Sequence, residues 1–308
     1  MRFSVTEWVK RSRQALAAIG AAALASCAMP EAARETVVAP EGPRPALWKL
    51  ADADTTIYLF GTIHLLPEGL DWRTSALDAA IAESDSLVLE TVLDDPAKAA
   101  QAMMAAGISP GLPPVLERVP EEKRAPLEKM IAASGVPVAV LDRMETWAAG
   151  LTLLAVSFQQ LGLNPELGVE KGLTGAYRSA SKPVTGLETV EQQFGFFDTL
   201  SEESQRLFLA GVADDPAAAK AQFAAMLKAW SAGDTDAIAA TFDDEASMTP
   251  ELRNVLMQKR NAAWAEWLAA RLDQPGTVMV AVGAGHLAGR DSVQAMLAAK
   301  GLTTTRVQ

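Results

Sequence analysis

The sequence predicts an α/β (α+β) fold: a central mixed sheet built from N-terminal, middle and C-terminal strands, with a large helical insert. Three observations predict it. Two strongly apolar runs, TIYLFGTIH (56–64) and TVMVAVGAGH (277–286), stand at opposite ends of the chain and read as strands. Two shorter runs, SLVLE (86–90) and PVTGLE (183–188), have the same character, and each ends on a carboxylate. Residues 190–273 follow a helical pattern almost throughout, so strands from distant segments must meet in one sheet.

The chain starts with an address rather than a structural element. A basic stretch ending at Arg13 precedes ALAAIGAAALAS, an apolar run too short for a stable bilayer-spanning helix. The run closes on Leu24-Ala25-Ser26-Cys27, which looks like a bacterial lipobox. Residues 1–26 are then expected to be the signal peptide and Cys27 the lipidated first residue of the mature chain; an ordinary secretory peptide with a chance cysteine, cut nearby, is the plain alternative. Cys27 is also the only cysteine, so no intramolecular disulfide can form. Ala28 after the cysteine resembles lipoproteins sent to an outer membrane. The expected location is the cell envelope facing the periplasm, with membrane contact through the lipid anchor only. Residues 27–46 carry Pro30, Pro40, Pro43 and Pro45 without apolar periodicity and read as a tether. The folded domain is expected over 47–308.

Within that domain each element has a local reason. LWKL (47–50) and the run from Thr56 to His64 flank Asp52-Ala53-Asp54, a hairpin pattern. A helix follows over 72–84, then the SLVLE strand. Residues 94–134 read as helices interrupted by SPGLPP, and VPVAVLD (136–142) as a short strand or a helix entry. WAAGLTLLAVSFQQLGL (147–163) is an apolar helix that carries Gln159 and Gln160 and is too short for a membrane span, so it belongs to a core. A helix over 168–182, the PVTGLE strand, the helical stretch, the second long strand, a helix over 292–301 and a last strand over 302–308 complete the order.

Charge narrows the partners. The formal net charge is -11, and it moves to -14 without the leader, whose first 26 residues hold Arg2, Lys10, Arg11 and Arg13 against Glu7 alone. A body this acidic repels phosphate backbones, and no nucleic-acid partner is expected. Nothing in the sequence fixes an oligomeric state.

The chemistry centres on the chain's two histidines, His64 in GTIHLLP and His286 in VGAGHLAG. Both stand three residues after a glycine at the end of an apolar strand, just before a predicted helix. Ligands of open α/β sheets collect at that edge, and a glycine there lets backbone pass close to a neighbour or a bound group. Two satisfied core histidines are the plain alternative to one shared site. Two imidazoles do not complete a metal site, and carboxylates are their natural complement. Glu90 and Glu188 end apolar strands, where an unpaired carboxylate is costly; exposure to water or helix capping in LETVEQQ would also account for Glu188. Glu170 and Glu191 are lesser candidates. HExxH, CxxC, GxSxG and GxxxxGK[ST] patterns are absent from the sequence. GAGHLA (283–288) fits GxGxxA, but the acidic residue due about 20 positions on is not found in the TTTRVQ that follows.

The ordered set LWKLADADTTIYLFGTIHLLPEGLDWR, SLVLE, LGVEKGL, KPVTGLETVEQQ, KRNAAWAEWL and VAVGAGHLAGRDSV resembles the TraB/GumN family, over roughly residues 46–308. Relatives of that family include the pheromone-shutdown proteins of conjugative plasmids and the animal Tiki proteases. The resemblance implies two related halves that bring the GxxH histidines together, and in the Tiki branch a metal-dependent protease. It carries over to His64, His286, Glu90, Glu188, Arg260 and Asn261. The resulting expectation is a metal-dependent hydrolase, a peptidase acting on peptide or protein. His64, Glu90 and His286 would hold a divalent ion (Mn, Co, Zn or Fe), and Glu188 would be a fourth ligand or general base. Arg260 would stabilise oxyanion charge and Asn261 would orient a ligand. The rivals are a non-catalytic peptide-binding or sequestering protein and an accessory protein in envelope polysaccharide production.

Overall fold

The computed structural model describes residues 42–93, 95–213, 216–242 and 248–308. The expected signal peptide (1–26), Cys27 and most of the expected tether (27–46) lie outside the described residues. The fold gathers into two compact units. The first takes Leu93–Glu166 and Val190–Ala219; the second takes the described residues up to Val92, then Leu167–Thr189 and Lys220–Gln308. The helical stretch expected over 190–273 is therefore divided, because its part beyond residue 220 joins the sheet-bearing unit.

The second unit is built on a six-stranded mixed sheet. Its strands are β1 (Leu47–Ala51), β2 (Thr55–Thr62), β3 (Ser86–Leu89), β4 (Val184–Gly186), β5 (Gly276–Gly283) and β6 (Thr305–Arg306), in the order β4-β3-β5-β2-β1-β6. The β1–β2 hairpin forms as expected, with Leu47 opposite Phe60 and Ala51 opposite Thr56. Asp52 shapes its turn: Oδ1 accepts from the Asp54 and Thr55 amides at 3.1 and 2.8 Å. β2 and β5 pair in parallel along their whole length, from Thr55–Gly276 to Thr62–Gly283. Parallel strands covered on both faces carry continuous apolar sequence, and β2 and β5 do: Ile57, Leu59, Phe60, Val278, Met279, Val280 and Ala281 are each at most 2% exposed. β3 pairs in parallel with both β5 and β4. Four parallel strands thus end at one edge of the sheet.

The helix Lys259–Arg271 lays Trp264, Ala265 and Leu268 onto a core made by Leu50, Ile57, Leu59, Val88, Val278, Val280 and Val282. Buried aliphatic and aromatic side chains of this size contribute about 1.5–3 kcal/mol each, which fixes this helix against the sheet. Its first turn, with Arg260 and Asn261, belongs to the same edge as the four strand ends. A π-helical turn, Asn254–Gln258, precedes it.

The first unit is helical. Trp147 is fully buried and stacks on Phe194 and Phe197, with ring centroids 5.8 and 6.0 Å apart. Buried Arg118 donates to the carbonyls of Pro113, Asp142 and Met144, each at 2.7 Å, so its charge is spent on holding loops. The apolar stretch at 147–163 is the helix Thr146–Gln160, whose first turn is buried. VPVAVLD resolves to the short helix Val138–Leu141. No helix among the described residues is long and apolar enough to cross a membrane.

Candidate functional site

Each side chain at the strand edge is placed by a local cause. β2 stops at Thr62, and His64 follows two residues on. The helix expected over 72–84 forms as Ser75–Glu83, and between His64 and that helix Pro67 and Gly69, the latter at φ 80°, turn the chain. The Val169 amide donates to the Ile63 carbonyl at 3.1 Å and docks the start of the helix Val169–Ser179 beside this loop. That brings Glu170 to His64, whose Nδ1 lies 2.7 Å from Glu170 Oε1; the Thr62 hydroxyl donates to the same oxygen.

His286 sits inside a 3-10 turn, Ala284–Leu287, rather than at the end of β5 itself. The glycine of each Gly-x-x-His serves close approach. A Cβ on Gly61 would lie 3.0 Å from Ala284 Cα, so the turn carrying His286 needs a glycine on the neighbouring strand. A Cβ on Gly283 would lie 3.1 Å from Glu90 Oε1, and the Gly283 amide donates to that oxygen at 2.6 Å. β3 and β4 continue their ladder beyond the strands proper, with the Glu188 amide donating to the Glu90 carbonyl at 2.8 Å. The two glutamates therefore leave the sheet side by side.

Arg260 joins them. Its Nε and Nη2 donate to the two oxygens of Glu188 at 2.9 and 2.8 Å, and Nη2 also donates to Glu90 Oε2 at 2.5 Å. The three side chains are 10%, 7% and 12% exposed for Arg260, Glu188 and Glu90, so these charge-assisted bonds act largely out of water. The guanidinium also lies over the Trp264 ring, 4.7 Å from its centroid. One cation shared by two carboxylates leaves the trio at net -1, a field that favours positive charge nearby.

The tautomer of His286 is fixed from both sides. Asn261 is fully buried, and its Nδ2 donates to the Asp291 carbonyl at 2.7 Å. Its Oδ1 therefore faces His286 Nδ1, 2.6 Å away, and accepts the ring proton. Nε2 then carries the lone pair, 3.2 Å from Arg260 Nη1, which can only donate, and 3.7 Å from Glu90 Oε1.

The titration of these groups is driven apart. Burial pushes His286 down to about 4, against the pull of Glu90 and with the charges of Arg260 and His64 adding to the fall. The Glu170 carboxylate pulls His64 up to about 9, against a smaller effect of burial; the ring is 68% exposed, so solvent tempers the pairing. Burial would raise Glu90, yet the charges of His286, Arg260 and His64 and the Gly283 amide outweigh it and hold Glu90 at about 2. Burial opposes ionisation of Glu170 too, and His64 and Thr62 more than offset it, so its pKa is lowered.

Sequence reasoning named Glu90, Glu188, Arg260, Asn261 and His286, and the structure joins them in one hydrogen-bonded cluster. His64 is coupled to it through charge: Glu90 helps raise its pKa, and His64 helps lower that of His286. Glu170, a lesser candidate, proves to be the partner of His64, while Glu191 is exposed in the first turn of the helix Val190–Asp198. The metal set expected of His64, Glu90 and His286 does not fit a shared ion as these side chains stand. Arg260 and the Gly283 amide engage both oxygens of Glu90, and the guanidinium lies against His286 Nε2. Among the described residues no three His, Cys, Asp or Glu side chains are placed to hold one ion. Trp264, whose ring also lies 4.5 Å from that of His286, is a site residue that nothing in the sequence pattern distinguishes from the other core aromatics.

Comparison with known sequences gives a family and no activity. The sequence model of the TraB/PrgY/gumN family matches residues 46–306. The chain is 27% identical to the uncharacterized protein YbaP of Escherichia coli K12 over 262 residues, 82% of this chain and 92% of YbaP. It is 28% identical to the Shigella flexneri YbaP over 249 residues, covering 78% and 87% of the two chains. An uncharacterized protein of Treponema pallidum (strain Nichols) is 23% identical over 264 residues, covering 80% of this chain and 78% of that one. No solved structure matches.

Proposed function

The chain belongs to the TraB/PrgY/gumN family, and from that premise we propose that it is a hydrolase of amide bonds in peptides or proteins, exported and lipid-anchored through Cys27. The observation that supports the reading best is the opposite setting of two imidazoles at neighbouring strand ends: His286 is buried between Asn261 and the Arg260 guanidinium, which favours its neutral form, and His64 is paired with the Glu170 carboxylate, which favours its charged form. Two titratable groups pushed apart in this way supply an acid and a base at the same pH.

In the proposed reaction a water takes the place of Arg260 Nη1, which lies 3.2 Å from His286 Nε2. Its oxygen attacks the scissile carbonyl as its proton passes to Nε2. A base of pKa about 4 is weak, so proton removal and C–O bond formation have to advance together. Arg260 stabilises the oxyanion that develops, in a setting where fixed charge acts more strongly than in water. Collapse breaks the C–N bond, and the His64 imidazolium gives its proton to the leaving amine. Asn261 and Glu170 hold the two rings in the tautomer and charge state each step needs.

The metal-dependent reading keeps one observation in its favour. Both rings have Nδ1 tied to an oxygen, His286 by Asn261 and His64 by Glu170, which leaves Nε2 as the ligand atom, as metal-binding histidines usually present it. A divalent Mn, Co, Zn or Fe ion would need Arg260 to release Glu90. One experiment separates the readings: the full-length lipoprotein, purified in detergent without chelator, is analysed for metal and challenged with a peptide library with and without EDTA. Cleavage that survives EDTA and is lost in His286→Ala supports the acid–base hydrolase. Bound metal with EDTA-sensitive cleavage favours the metal-dependent one. Tight peptide binding without cleavage overturns both in favour of a sequestering protein.

A further inference from the structure

We infer that Asp291 is a positioning residue: its side chain clamps the segment whose backbone carbonyl fixes the Asn261 amide, and through Asn261 it sets the tautomer of His286. The inference rests on the reading that His286 belongs to the site, but not on the reaction assigned to it.

Asp291 immediately precedes Ser292, the N-cap of the helix Val293–Ala299. A carboxylate there would ordinarily turn to the free amides of its own helix. Here it turns the other way. Oδ1 accepts from Gln258 Nε2 at 3.0 Å, at the last residue of the π-helical turn and two residues before Arg260. Oδ2 faces the Arg253 guanidinium at 3.6 Å and has no hydrogen-bond partner among the described residues. Arg253 is itself anchored by donating to the Phe242 carbonyl. A π-turn inside a helical segment adds backbone per turn and often marks a functional site. In this fold, the Asp291 side chain holds the π-turn through Gln258 and the start of that turn through Arg253. Its main-chain oxygen meanwhile accepts from Asn261 Nδ2 at 2.7 Å.

The consequence follows from donor and acceptor counting. While the 291 carbonyl is held, Asn261 must present Oδ1 to the ring, and His286 must carry its proton on Nδ1. When the carbonyl is released, the amide can rotate and present Nδ2 instead. The ring must then move its proton to Nε2, where it would meet the Arg260 Nη1 donor at 3.2 Å. Both tautomers then become populated, and neither is well satisfied.

Because the chain has only two histidines, selective 15N-histidine labelling of the full-length lipoprotein gives two ring systems. Wild type should show His286 with a slowly exchanging Nδ1–H proton and an unprotonated Nε2. In Asp291→Ala that proton signal should be lost and the two ring nitrogens should shift toward averaged values. Asp291→Asn, which still offers Gln258 an oxygen, should restore the wild-type ring pattern. His286 signals unchanged in Asp291→Ala would overturn the inference. If Asp291→Ala does not fold, Gln258→Leu removes the same clamp from the other side, and unchanged His286 signals there overturn it equally. A failed hydrolase assay beside a shifted tautomer would count against the reaction and leave the positioning role intact.

Discussion

Replacing Arg260 by methionine removes a guanidinium bonded to both Glu90 and Glu188 while keeping most of the side-chain volume over Trp264. Three charge-assisted bonds are lost, at 2.9, 2.8 and 2.5 Å, between groups no more than 12% exposed. Charge-assisted bonds of this kind are worth about 1.5–3 kcal/mol each, but removing the cation also relieves its own desolvation. Breaking one side of a buried ion pair costs about 3–5 kcal/mol net, and that is the expected loss. In urea, with a slope near 3 kcal/mol per molar, this moves the midpoint down by about 1–1.7 M. The assay is urea unfolding followed by near-ultraviolet circular dichroism, to which Trp264 contributes. The triple variant Arg260→Met, Glu90→Gln, Glu188→Gln removes the stranded charges and should recover at least half of the loss. A midpoint shift below about 0.3 M in the single variant, or no recovery in the triple, would refute the claim that this guanidinium holds the two carboxylates.

Acid should weaken the sheet-bearing unit in two stages. His286 is neutral in the fold, with a pKa of about 4 against an ordinary 6.5, so its contribution is present above 6.5 and is lost as pH falls toward 4; His286→Gln should flatten that part of the stability profile. Glu90, at about 2 against an ordinary 4.5, contributes above 4.5 and loses it as pH falls toward 2, a slope that Glu90→Gln should remove. Gly61→Ala should cost about 1–3 kcal/mol, because the new Cβ meets the backbone of Ala284 at 3.0 Å. Gly175→Ala, in the interior of the helix Val169–Ser179 with nothing within 4 Å, should instead stabilise by about 0.5–1 kcal/mol, and thermal melts of the two variants compare them directly. Cys27→Ala should move the protein from the detergent phase to the aqueous phase on partitioning of cell envelopes, and retention in the detergent phase would count against the lipid anchor.

Much of the sheet was legible because its strands are covered on both faces. Continuous apolar runs such as Ile57–Phe60 and Val278–Val282 have few alternatives. The strand-end glutamates were legible for the same reason, since a carboxylate after such a run has to be paired. Periodicity could not reveal the division of the helices, because a helix packed on other helices and one packed on a sheet have the same apolar spacing. The identity of the central cation was half legible. Arg260 was expected to act on substrate, whereas its first role in the structure is to bind Glu90 and Glu188. Glu170 was obscured because its link to His64 depends on one long-range main-chain bond, Val169 to Ile63, that leaves no trace in composition. Asp291 gave no signal, since it acts through its backbone oxygen as much as through its carboxylate.

The opposed protonation of His64 and His286 is the claim on which the chemistry depends, and the chain's two histidines make it measurable without assignment ambiguity. An NMR titration of the two imidazoles between pH 3 and pH 10 is the direct test. One ring should titrate far below the ordinary 6.5, toward 4, and the other well above it, toward 9, with Glu170→Gln returning the high one toward 6.5. Two rings that both titrate near 6.5 would contradict the account.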